Sequence, residues 1–251
     1  MAKIQTLNLN YTAQNNNNVS ENILEDVNFT INKGEFIVLL GESGCGKSTL
    51  LNTLSGLQKP TTGQVLIDGE NLKGPDSSIS LIFQKSTLLP WLSVKENIAF
   101  GCKIRKDFEN LDDRVAQYIE MIGLHNHRNS YPHELSVGMA KRVDIARALV
   151  GGPDILLLDE PFAPLDLYTR RKLQDELIYI WQESGMTCVF VTHNIESAIV
   201  LGQRIIIMSN NPGKIDSILD VPLEYPRRHS HQLFDKLKRK LLKKFGMAFH
   251  L

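Results

Sequence analysis

The sequence predicts an α/β fold: a phosphate-loop core with a mostly parallel sheet, an antiparallel β edge, and a helical lobe inserted at about residues 86–151. Three observations predict it. Gly41-Glu42-Ser43-Gly44-Cys45-Gly46-Lys47-Ser48 fits the pattern G-x-x-x-x-G-K-[ST] at every fixed position. It stands between the apolar run Phe36–Leu40 and a helical pattern carrying Leu50, Leu51, Leu54 and Leu57. Short continuous apolar runs recur at residues 155–158, 188–191 and 205–208, which suits parallel strands covered on both faces. Between these two regions the apolar residues change to helical spacing.

The elements follow in order. Ile4, Leu7, Leu9 and Tyr11 open a β region, polar residues 15–18 make a hairpin tip, and residues 27–31 continue as a strand. Residues 64–67 form a strand that ends on Asp68-Gly69, a hairpin turn signal. Residues 80–83 are another short apolar strand. Ser93 and Glu96 make a capping box at the start of a helix. Val115, Ile119 and Ile122 mark a second helix over 111–124. Met139, Val143, Ala146, Leu149 and Val150 mark a third, stopped by Gly151-Gly152-Pro153. The helix Leu167–Ser184 lies between two of the apolar runs in a βαβ arrangement. The chain thus divides into one nucleotide-binding domain over 1–220 and a C-terminal extension over 221–251.

Composition sets bounds. The 251 residues are 42% hydrophobic and 22% charged, and 28 Lys and Arg balance 28 Asp and Glu. This balance offers no basic face for nucleic acid. No stretch reaches 18 consecutive apolar residues, and the first residues lack the apolar core of a signal peptide. Cys45, Cys102 and Cys188 are odd in number and widely spaced, so they form neither a disulfide framework nor a metal motif and suit a reducing compartment.

The motifs carry phosphate chemistry. In the loop the glycines let successive N–H groups point at one anion, the following helix adds its positive end, and Lys47 adds a full charge. Gly41, Glu42, Ser43, Gly44, Cys45, Gly46, Lys47, Ser48 and the next residue, Thr49, are the expected nucleotide contacts, with the Ser48 hydroxyl a ligand for Mg2+. Cys45, beside a lysine and a helix N-terminus, is expected to favour its thiolate and to react with a maleimide unless ATP protects it. Residues 156–160, Leu-Leu-Leu-Asp-Glu, end an apolar strand in two acids. Such a strand end faces the ligand crevice of a parallel sheet. Asp159 is expected to hold magnesium, and Glu160 to orient or deprotonate the attacking water. Gln84 and His193 each end a strand. Gln84 can sense both metal and water, and His193 can donate to the γ-phosphate or hold Glu160 in place.

As a set, these segments resemble the ATP-binding cassette (ABC) ATPases. The order is the phosphate loop, Gln84, Leu135-Ser136-Val137-Gly138-Met139, residues 156–161, Pro164-Leu165-Asp166 and Thr192-His193, and it extends over the chain to about Ile218. The resemblance implies two cassettes paired head to tail as a homodimer, with ATP between the phosphate loop of one and the signature segment of the other. Ser136 and the Gly138 N–H would then act on ATP held by the partner chain, where a helix N-terminus stabilises an anion. The resemblance also makes Asp166 an interface residue linking the two sites, and Tyr11 the aromatic stacked on adenine. One departure stands out: the family signature is Leu-Ser-Gly-Gly-Gln, and here Val137 and Met139 replace its first glycine and its glutamine. A β-branched residue there is expected to slow closure of the dimer.

Finer likenesses point to the nitrate, sulfonate and taurine importer branch. They are residues 88–101, residues 160–166, and Ser209-Asn-Asn-Pro-Gly-Lys-Ile215. The implied protein is a peripheral subunit at the cytoplasmic face of the membrane. It energises integral membrane permease subunits served by an extracytoplasmic solute-binding protein, with a small oxyanion as solute and a vitamin precursor as the rival. Other classes stay open: a cassette coupled to no permease, of cofactor-assembly type, or a catalytically weak binding module. Trp91 and Leu92 either form part of a socket for the permease or pack inside the lobe. Over 232–245, Leu233, Leu237, Leu241 and Phe245 share one face and Lys236, Lys240, Lys243 and Lys244 the other. This is a helix for a membrane surface or, as preferred, one docked on its own domain.

Overall fold

A computed structural model describes residues 2–14, 20–163, 165–227 and 232–245. The expected hairpin tip at 15–18 and Pro164 lie outside these residues. In chain order the first elements are β1 (Ala2–Gln14), β2 (Ser20–Asn32), β3 (Phe36–Leu40), α1 (Lys47–Leu54), β4 (Thr62–Ile67), β5 (Glu70–Asn71) and β6 (Ile79–Ile82). Helices α2 (Val94–Ile104), α3 (Leu111–Met121) and α4 (Val137–Leu149) follow. The chain ends with β7 (Ile155–Asp159), α5 (Leu167–Ser184), β8 (Thr187–Thr192), α6 (Ile195–Leu201), β9 (Arg204–Ser209), β10 (Lys214–Asp220) and α7 (Gln232–Lys244). Two compact units form, Met1–Asp76 with Gln174–Leu251, and Ser77–Leu173.

The first unit holds an antiparallel sheet in the order β2-β1-β4-β5 and the strand series β10-β9-β3-β8. β3 is parallel to both β8 and β9, and β10 is antiparallel to β9. All five residues of β3 and all six of β8 are buried, which is why these strands read as unbroken apolar runs. β2 instead alternates, burying Leu24, Val27, Phe29 and Ile31, as a strand with one covered face must. Asp68 and Gly69, both at positive φ, turn β4 onto β5 with Ile67 opposite Glu70.

Trp181 fixes the end of α5 within this unit. Its ring meets Phe36 edge-on at 5.6 Å and Tyr225 at 5.6 Å, and its indole N–H donates to the Gly34 carbonyl at 3.1 Å. The chain after β10 straps the end of α6. The Tyr225 hydroxyl donates to the Leu201 carbonyl, and Arg227 is buried beneath the strap. Arg227 donates to the carbonyls of Ile199, Gly202 and Leu223, and its guanidinium sits 4.1 Å from the Tyr225 ring centre.

The second unit pairs β6 with β7 in parallel and packs α2, α3 and α4 around Val94, Ile98, Cys102, Val115, Ile119, Val143 and Ala146. Both halves of the Ser93–Glu96 capping box form at the start of α2, with the Ser93 N–H donating to the Glu96 carboxylate at 2.9 Å.

Four details differ from the sequence reading. α1 stops at Leu54, so Leu57 is exposed rather than part of an apolar stripe. α6 is seven residues long, too short to show a helical period. β10 alternates strictly between exposed and half-buried residues and buries none fully, so it lacks the buried apolar face that marks a strand. α7 docks on its own unit, its anchors being Phe234, Leu237 and Leu241; Leu233 and Phe245 are only half-buried. Lys238 of α7 pairs with Glu196 of α6 at 2.5 Å.

Arg227→Met should lower stability by about 2–3 kcal/mol, because it keeps the buried bulk while stripping the donors from several buried carbonyls. Urea unfolding of the two forms checks this; an unchanged midpoint would show that the strap does not depend on these bonds.

Candidate functional site

The phosphate loop joins β3 to α1. α1 starts at Lys47 with Gly46 as its N-cap, at φ 88°, and no side chain accepts from its first turn. α2 and α4, by contrast, begin on serines whose oxygens serve that purpose. The first N–H groups of α1 therefore carry the positive helix end without a side-chain acceptor, which fits a bound phosphate. The loop is closely walled. A Cβ on Gly46 would lie 2.8 Å from Leu24 Cδ2, and one on Gly213 would lie 2.3 Å from the Cys45 carbonyl oxygen. Glu42 is tied to the β9–β10 turn, its carboxylate accepting from Asn210 Nδ2 at 2.7 Å.

Lys47 is buried, and its ammonium donates to the carbonyls of Gly41 at 2.9 Å and Glu42 at 2.6 Å. Ser43, Gly44 and Ser48 are exposed, and Thr49 is half-buried. Tyr11 stands opposite Leu24 in the β1–β2 register, and Leu24 in turn abuts Gly46. Leu40 pairs with Thr192, so Gly41 and His193 leave adjacent strand ends together. His193 is exposed, and its neighbour Asn194 caps α6 by accepting from the Ser197 N–H at 2.8 Å.

One expectation fails here. Cys45 is only 1% exposed, and burial raises its thiol pKa more than Lys47 lowers it. The sequence neighbours favour a thiolate, but the side chain turns inward, away from solvent. Cys102 and Cys188 are buried too, and all three thiols are free. A thiol reagent should therefore react slowly at all three positions in the native protein, with or without Mg-ATP, and fully in guanidinium. Fast native labelling of Cys45 would contradict its burial.

The second unit holds the remaining candidates. Ile82 pairs with Leu158, so Asp159 ends β7 beside the end of β6, with Glu160 and Gln84 just beyond these neighbouring strand ends. Gln84 is exposed; Asp159 and Glu160 are half-buried. Glu160 has φ 42°, the left-handed region that costs a side-chain-bearing residue about 1–3 kcal/mol and clusters at functional sites. Its carbonyl accepts from the Ala163 N–H at 3.2 Å, closing the turn after β7.

Ser136 caps α4, its hydroxyl oxygen accepting from the Met139 N–H at 3.2 Å. Its O–H proton remains available for donation. Val137 is the first residue of α4 and is 65% exposed, while Gly138 lies close to Leu165 and Thr169. Asp166 caps α5 through the Thr169 N–H at 3.0 Å, and its bonds to Thr169 hold its carboxyl below the usual range. Trp91 is 69% exposed, against packing inside the lobe, and Leu92 is half-buried.

The donor types fit magnesium. Among the described residues no cluster of three His, Cys, Asp or Glu side chains could form a protein cage. Magnesium commonly takes one or two carboxylates plus substrate phosphates and water. Asp159 offers one carboxylate of that kind, at the end of β7.

The sequence reading missed Lys141, Asp144 and Arg147, which hold the segment after Gln84. Their signal was present: three charges spaced by three on a helix otherwise read as apolar.

Comparison with known proteins gives a consistent result. A family described as ABC transporter matches residues 24–163. The aliphatic sulfonates import ATP-binding protein SsuB of Bacillus cereus is 44% identical, over 89% of this chain and 88% of its own. The taurine import ATP-binding protein TauB of Pelagibacter ubique is 38% identical, over 88% and 84%. Among solved structures, the dimeric post-hydrolysis state of the ATP-binding cassette MJ0796, bound to ADP and Pi, superposes with a TM-score of 0.79. It is 32% identical to this chain, covering 88% of it and 100% of the cassette.

Proposed function

The chain belongs to the ABC transporter family, and on that premise we propose that it is the ATP-hydrolysing subunit of an importer for a small sulfonate or taurine-like anion. The observation that carries the nucleotide chemistry is the loop from Gly41 to Ser48, walled by β2 and the β9–β10 turn and opening an uncapped helix. The relatives' names support the import role and the class of solute. The solute itself would be handled by permease subunits and a solute-binding protein, with this chain peripheral at the cytoplasmic face. Among the described residues no helix is long and apolar enough to cross a membrane.

Each residue then has a role. The loop N–H groups and Lys47 bind the phosphates of ATP. Ser48, Gln84 and Asp159 would hold magnesium, which would supply positive charge against the phosphates. Glu160 orients the attacking water and takes its proton as oxygen bonds to the γ-phosphorus and ADP leaves. His193 donates to the γ-phosphate. Tyr11 stacks on the base. Ser136 donates its O–H, and Gly138 its N–H, to the γ-phosphate on the partner chain. Asp166 links the paired sites. The dimeric cassette among the solved relatives supports this pairing. The exposed Val137 adds a stiff side chain at the closing surface and slows engagement. Trp91, projecting from the lobe, contributes to the permease socket.

Glu160→Gln should retain ATP binding, lower turnover by about 10²–10⁴ and accumulate as an ATP-bound dimer. Steady-state hydrolysis with sedimentation in Mg-ATP checks this. Near-normal hydrolysis would contradict the assignment of Glu160.

A further inference from the structure

Gln84 lies on the irregular segment after β6, and its side chain is exposed. A group that must meet both metal and water has to be placed to within about 0.5 Å. Side-chain freedom on an unsupported segment would defeat that, yet this segment is gripped from α4. Lys141 donates to the carbonyls of Phe83 at 2.5 Å and of Gln84 itself at 3.0 Å. Arg147 donates to the Thr87 carbonyl at 2.7 Å and the Thr87 hydroxyl at 2.6 Å. Asp144 stands between them. Its Oδ1 accepts from Arg147 at 3.0 Å and from the Thr87 N–H at 3.4 Å, and its Oδ2 is 3.9 Å from the Lys141 ammonium.

The grip is made of buried charge. The Lys141 and Asp144 side chains are each 3% exposed. Burial lowers the lysine pKa and raises that of the aspartate, so both charges are held at a cost that their mutual attraction offsets only in part. Apolar residues would pack an α4 face at lower cost. What the charges add is a set of donors and acceptors aimed at the backbone of residues 83–87. The same helix is capped by Ser136, five residues before Lys141 and about 7.5 Å along the axis.

We propose that Lys141, braced by Asp144 and Arg147, is the positioning residue for Gln84, so that the helix presenting Ser136 and the segment presenting Gln84 move as one body. Contact of Ser136 with nucleotide on the partner chain then sets Gln84 in the chain's own site. The inference rests on the roles given above to Gln84 and Ser136.

The test is a double-mutant cycle on the purified full chain, using Gln84→Ala, Lys141→Met, the double variant and Lys141→Gln. Lys141→Met keeps the side-chain length and removes the donors. Each single change should lower kcat about tenfold with KM for ATP within about twofold, and the double variant should lie within about twofold of Gln84→Ala alone. Lys141→Gln, whose amide still donates, should recover most of the rate. Losses that multiply to about a hundredfold would overturn the inference, because Lys141 would then act independently of Gln84. A costly Gln84→Ala beside a silent Lys141→Met overturns the inference alone; a silent Gln84→Ala overturns the role of Gln84 and the inference with it. Should Lys141→Met fail to fold, Arg147→Lys decides, since a single ammonium cannot reproduce the forked contact to Thr87. Faster amide exchange across residues 83–87 together with a lower kcat is expected there; unchanged exchange or unchanged kcat overturns the proposal.

Discussion

A helix that opens without a side-chain cap leaves its first N–H groups for the next anion that arrives, and α1 opens in that way. The surrounding unit serves this condition. β3 must end at Leu40, between β8 and β9, for the loop to rise at a strand end where a neighbouring His193 also emerges. β2 must bring Leu24 against Gly46, and the β9–β10 turn must bring Gly213 against the Cys45 carbonyl. A Cβ at Gly213 would collide with the Cys45 carbonyl, and one at Gly46 would crowd Leu24 on a backbone already at φ 88°. The same closeness buries Cys45, and that burial raises its thiol pKa despite the neighbouring Lys47.

The second unit works by a different economy. Glu160 is held at positive φ just beyond β7, a conformation sustained by the turn that follows. Ser136 uses its oxygen on its own helix and keeps its proton for another acceptor. Asp166 caps α5 with its carboxylate while remaining exposed. Ser136 and Asp166 each secure the local backbone with a side-chain oxygen while staying exposed, whereas at Glu160 the backbone carbonyl closes the turn. Lys141, Asp144 and Arg147 hold the segment 83–87 through the backbone of Phe83, Gln84 and Thr87 and the Thr87 hydroxyl.

Much of this was legible in the sequence because it rests on short-range rules. The phosphate loop, the Ser93 capping box, the Asp68-Gly69 turn and the Gly151-Gly152-Pro153 stop each depend on a few adjacent residues. The buried strands β3, β7, β8 and β9 show as apolar runs because both faces are covered. What was hidden depends on tertiary company. The inward turn of Cys45 is set by packing within the loop, and the choice of Phe234 as an anchor of α7 is set by the surface it meets. The network on α4 was unread because a salt-bridged helix face and a backbone clamp share the same charge spacing. β10 escaped because its covered face alternates only between exposed and half-buried residues.

The central claim is that the site is composite, with the phosphate loop of one chain completed by Ser136 of another. Mixing two inactive variants tests it most directly. Lys47→Ala removes the loop cation, and Ser136→Arg blocks the presented hydroxyl; neither alone should hydrolyse ATP appreciably. In a mixed dimer the intact Lys47 of one chain faces the intact Ser136 of the other. The account predicts that the mixture hydrolyses ATP well above either component. A mixture as inactive as its parts would contradict it, because Ser136 would then serve only the nucleotide of its own chain.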